Sequence, residues 1–275
     1  MTADKLRPIR VGAVSYLNSK PLLYGLREEA PFATLTLDLP SRLATGLAEE
    51  RYDVALIPAI EYFRQPGCEI VSDACIAAHG PVWSVKLLFR TEPEKVRTLA
   101  LDEGSRTSAT LARILLHRRC GIEPSMRPLP IDADFGAADA DAVLVIGDRA
   151  MHVRDEDYAC VWDLAQAWGE ERNLPFVFAM WVARPGVDRE ALAELEAALG
   201  RCRDAGLSQA EQIAAEEGPP LGLSPQAALD YFRKHLHFRL GRPERAGLAA
   251  FYEQAVALNL APAGREVRFH DCLQR

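Results

Sequence analysis

The chain has 275 residues, 49% of them hydrophobic and 26% charged, with a formal net charge of −7. That composition suits a globular protein of one large or two medium domains, and the acidic balance disfavours non-specific nucleic-acid binding. No apolar run reaches bilayer length and Met1–Arg10 lacks the apolar core of a signal peptide, so a soluble, cytoplasmic protein with no membrane partner is expected.

Apolar runs between turn residues predict strands at Ile9–Val14, Thr34–Leu37, Val54–Ile57, Glu69–Val71, Val82–Phe89, Thr98–Leu101, Arg127–Leu129, Ala142–Ile146 and Phe176–Ala183. Helices alternate with them, among them Ser41–Glu50, capped by Ser41, and Thr107–Arg119. After Val187 the pattern turns helical: Asp188–Ala205, Ser208–Glu217, Pro225–Lys234 and Pro243–Leu258, with Asp188, Ser208 and Ser224 as caps. The alternation predicts an α/β fold with mostly parallel strands and a helical C-terminal region. Val82–Phe89 and Phe176–Ala183, each long and apolar with a proline near one end, are expected to cross between two lobes around a central cleft. Residues 1–92 and 176–275 then form one discontinuous lobe, and 93–175 the other. A linear division near residue 92 would leave the helical tail without a sheet to cover.

Cys68, Cys75, Cys120, Cys160, Cys202 and Cys272 show no metal-finger spacing, and several sit in apolar segments, as buried free thiols do. The histidines do not pair at metal-ligand spacing, and there is no Gly-x-Ser-x-Gly elbow, so neither a metal site nor a hydrolase triad is expected.

Polar groups gather where strands give way to helices. The strand Ile9–Val14 delivers Ser15 and Asn18 to a helix beginning near Pro21. Both suit helix capping, and both suit contact with a ligand. Ser84 is the lone small hydroxyl after the Gly80-Pro81 turn, placed in core or cleft. Ser105, Thr107 and Ser108 crowd the first turn of the next helix, where backbone N–H groups and the helix dipole favour an anion. The same hydroxyls would also serve as an over-supplied cap. Gly147 and Asp148 close the strand Ala142–Ile146, with Asp148 open to three roles: cap, ligand acceptor or acid–base group.

With these sites in this order, the sequence resembles the chorismate dehydratases of the futalosine route to menaquinone. The matching segments are Ser15-Tyr16-Leu17-Asn18 with Pro21-Leu22, Tyr52 to Pro58, Gly80 to Val85, Ser105 to Ser108, Ile146 to Asp148 and Leu174 to Trp181. The resemblance implies a two-lobed, type II periplasmic-binding-protein-like fold. It also implies loss of water from chorismate, a small dicarboxylate, to give 3-[(1-carboxyvinyl)oxy]benzoate. Because that elimination makes the ring aromatic, no cofactor is expected. Asn18 and Ser84 would lie nearest the reacting ring, with Asp148 as an alternative acid. Ser105, Thr107 and Ser108 would hold a carboxylate, with Ser15 and Gly147 also facing substrate. A related branch of this fold makes 1,4-dihydroxy-6-naphthoate, but this chain lacks the histidine-bearing loop of that branch. A non-catalytic small-anion binder is the rival class. Such receptors are exported, and ten residues before the first strand leave no room for a DNA-binding helix-turn-helix.

Overall fold

The structure, a computed structural model, describes residues 6–270. Two sheets organise them. The first has the strand order β11-β4-β10-β3-β1-β2, built from β1 (Ile9–Val14), β2 (Ala33–Asp38), β3 (Val54–Pro58), β4 (Glu69–Ala78), β10 (Phe176–Ala183) and β11 (His237–Arg239). The second has the order β7-β6-β8-β5-β9, from β5 (Val85–Phe89), β6 (Thr98–Asp102), β7 (Ser125–Leu129), β8 (Ala142–Ile146) and β9 (Cys160–Asp163).

The sheets are mixed, not mostly parallel as the alternation suggests. β1 pairs in parallel with β2 and β3, and β6 with β7 and β8. β10 runs antiparallel to β3 and β4, and β5 antiparallel to β8 and β9. β11 also runs antiparallel to β4, so antiparallel pairing includes but is not confined to the strands at the two crossings. The crossing expected along Val82–Phe89 instead runs through residues 79–84. Trp83, at φ 68°, breaks the extended run there. β5 therefore lies wholly in the second sheet, ahead of the division expected at residue 92.

All eight residues of β10 are buried, as a central strand covered on both faces must be. Its Phe176 meets Trp168 and Phe251 edge-to-face, with centroids 5.5 and 5.0 Å away, which ties both lobes' helices to the return crossing. The helix Arg189–Ser208 supports the Asn18 segment from behind. It rests so closely there that a Cβ on Gly206 would stand 1.9 Å from the carbonyl oxygen of Pro21. Asp188 and Ser224 cap their helices as expected. Ser41 and Ser208 do not: one lies inside a first turn that begins at Pro40, the other ends its helix. Cys68, Cys75, Cys120, Cys160 and Cys202 are free thiols, and Cys272 lies outside the described residues. No helix among the described residues is long and apolar enough to cross a membrane.

Candidate active site

A pocket opens between the two sheets. The end of β1 and the turn after it supply Val14, Tyr16 and Asn18, and the crossing supplies Val82 and Ser84. The start of the helix Thr107–Cys120 supplies Ser105, Arg106, Thr107 and Ser108, and the end of β8 supplies Ile146 and Gly147. Pro58, Ile76 and Phe178 add apolar walls. In the first turn of the helix the Ala109 N–H donates to Ser105 Oγ at 3.1 Å, so Ser105 also serves as a cap, while the Thr107 and Ser108 N–H groups have no carbonyl one turn back.

Six expected residues therefore share one lining: Asn18, Ser84, Ser105, Thr107, Ser108 and Gly147. Two stand outside it. Ser15 is exposed, and its N–H extends the β1–β2 pairing to the carbonyl of Asp38. The half-buried carboxylate of Asp148 lies outside the lining and accepts the Leu17 N–H at 3.0 Å, which ties the Asn18 segment to the second lobe. Burial pushes its pKa up, against the Leu17 hydrogen bond and the charge of Lys20. Gly147, at φ 70°, redirects the chain between β8 and Asp148.

Further contacts bridge the lobes around the pocket. Thr107 Oγ1 accepts the Ile60 N–H at 3.2 Å. Arg106 donates to Glu61 at 2.9 Å and to Thr45 at 2.7 Å. Its guanidinium is the cation of the lining, a feature that reading the hydroxyls alone overlooks.

The crossing that carries Ser84 is held by a single carboxylate. Asp163 accepts the N–H groups of Val82 at 3.0 Å and Trp83 at 2.6 Å, while capping the helix Leu164–Arg172 through Ala165 and Gln166. Burial pushes its pKa up, and these four hydrogen bonds pull the other way. They hold Trp83 in a left-handed conformation that otherwise costs of order 1–3 kcal/mol.

Two buried polar atoms of the lining, Tyr16 Oη and Asn18 Oδ1, have no hydrogen-bond partner. Buried polar groups are nearly always paired, so such atoms are candidates for ligand contact. Burial also pushes the Tyr16 pKa up, so its phenol keeps its proton as a donor. Tyr16 is visible in the sequence only as part of the Ser-Tyr-Leu-Asn run, where an aromatic reads as core.

Comparison with known proteins gives this site a family. The family described as menaquinone biosynthesis matches residues 9–257. The chain belongs to that chorismate-dehydratase-like family. The chorismate dehydratase of Thermus thermophilus is 30% identical over 275 residues, covering 94% of this chain and 98% of that protein. The chorismate dehydratase of Campylobacter jejuni is 26% identical over 246 residues, covering 90% and 93%. Among solved structures, protein AF1704 of Archaeoglobus fulgidus superposes with a TM-score of 0.78 at 19% identity, covering 92% of this chain and 98% of that one. The alkanesulfonate-binding protein SsuA of Xanthomonas axonopodis, bound to MOPS, gives 0.65 at 17% identity, covering 94% and 96%. This member of the menaquinone-biosynthesis family thus has the two-lobed, type II periplasmic-binding-protein-like fold.

Proposed function

We propose that this chain is a chorismate dehydratase, converting chorismate to 3-[(1-carboxyvinyl)oxy]benzoate and water. The observation that carries the reading is the pairing of unpartnered Tyr16 Oη and Asn18 Oδ1 with a hydroxyl-rich helix N-terminus in one pocket. Such a lining suits a small molecule bearing carboxylates and a hydroxyl. Hydrogen bonds to charged groups contribute about 1.5–3 kcal/mol each. Four to six of them give roughly micromolar binding after association costs of several kcal/mol.

In the reaction the C3–H and C4–O bonds break and a C3=C4 bond forms, leaving an aromatic ring. The described lining holds no carboxylate, histidine or lysine to act as base. The substrate's own enolpyruvyl carboxylate therefore takes the C3 proton. Charge left at C3 spreads through the C1=C2 bond to the ring carboxylate, where Ser105, Thr107, Ser108 and the helix N-terminus stabilise it. Ser84 and Asn18 orient the C4 hydroxyl, which departs with the C4–O electron pair and takes up the proton held by the enolpyruvyl carboxylate, leaving as water and returning that carboxylate to its charged form. The protein's share of the work is to hold the dianion in the one geometry that eliminates rather than rearranges.

Incubation with chorismate tests the reading. Loss of the diene absorbance with appearance of the benzoate is expected. Saturable binding without turnover would favour the rival non-catalytic binder.

A further inference from the structure

Ser84 meets a residue that its sequence position does not announce. Tyr231 is completely buried, and its hydroxyl lies 2.7 Å from Ser84 Oγ. The phenol is the stronger donor of the two hydroxyls, so it gives its proton to Ser84 Oγ. Tyr231 sits at the start of a five-residue π turn that follows the helix Pro225–Asp230, a feature frequent at functional sites. The left-handed Trp83 packs edge-on against its ring, with centroids 5.9 Å apart.

We propose that Tyr231 is a positioning residue that sets the hydrogen-bond direction of the site. By occupying the acceptor side of Ser84, it frees the serine proton for the pocket. Asn18 Oδ1, buried and without a partner beside it in the same lining, is the acceptor. In the dehydration proposed above, on which this inference rests, Ser84 then donates to the departing C4 oxygen and Asn18 accepts from the substrate.

Steady-state kinetics on chorismate with the full chain test this. Tyr231→Phe keeps the ring and removes the hydroxyl. It is expected to lower kcat roughly 10- to 100-fold while KM stays within about threefold. In a Ser84→Ala background, the same change is expected to alter kcat less than about twofold, because Tyr231 acts through Ser84. Full kcat in Tyr231→Phe, or a loss fully multiplicative with Ser84→Ala, would overturn the proposal. Fluorotyrosine at position 231 preserves shape while strengthening the donor. A kcat that tracks phenol acidity supports the proposal, and an unchanged kcat overturns it. A wild-type chain inactive on chorismate would overturn the functional reading and this role with it. An active wild type with an indifferent Tyr231 overturns only the role.

Discussion

The ring of Tyr16 lies against the backbone of Gly147 so closely that a Cβ on the glycine would stand 2.7 Å from Cζ. Gly147 also holds φ at 70°, where a side chain is strained whatever the space. Gly147→Ala is therefore expected to cost about 1–3 kcal/mol of stability and to displace Tyr16 from the pocket. Thermal unfolding and chorismate turnover check both effects. A variant of wild-type stability and rate would show that this contact does not set the site.

Tyr16→Phe separates ligand contact from packing. Its hydroxyl is buried and unpartnered, so removing it should leave stability unchanged or raise it by about 1 kcal/mol. If the hydroxyl holds substrate, KM should rise about tenfold in the same variant. A fall in melting temperature with an unchanged KM would assign Tyr16 to structure alone.

Asp163→Asn tests the support beneath Ser84. An amide would aim a donor at one of the N–H groups of Val82, Trp83, Ala165 and Gln166 that the carboxylate now accepts. A loss of about 2 kcal/mol is expected, together with a fall in kcat as the Trp83–Ser84 backbone relaxes. Denaturant titration and kinetics on one preparation measure the two together. Retention of kcat despite lower stability would uncouple the crossing from catalysis.

Acid should expose Asp53. Burial raises its carboxyl, but hydrogen bonds from Arg10 and Arg184 outweigh burial and hold it down at about 2, against an ordinary 3.8. A depressed folded-state pKa contributes stability above the unfolded value and loses it as pH falls through the folded one. Wild-type stability should therefore drop between pH 3.8 and about 2, and Asp53→Asn should be less stable at neutral pH with a flatter curve across that window. Parallel curves for the two proteins would contradict this assignment.

The sequence is legible where local punctuation reports geometry. Pro21 after Asn18, and Gly104 before Ser105, each mark a strand giving way to a helix, and the pocket forms at those junctions. It is less legible where function depends on distant partners. Tyr231 meets Ser84 across 147 positions, and an aromatic on a helix gives no local sign of that meeting. Arg106 hides among hydroxyls, and its value depends on Glu61 in the other lobe. Asp148 follows the expected strand, but its carboxylate lies outside the lining and accepts from Leu17. β9 and β11 have four and three residues, too few for alternation to emerge. Strand direction is also silent, since a buried strand such as β10 has the same composition either way round.

Proton NMR of chorismate incubated with the purified protein tests the central claim most directly. The expected result is a 1,3-disubstituted aromatic ring whose enolpyruvyl protons remain, formed at a rate that collapses in Asn18→Ala. A spectrum that stays that of chorismate at saturating protein, or one that shows pyruvate released, would contradict it.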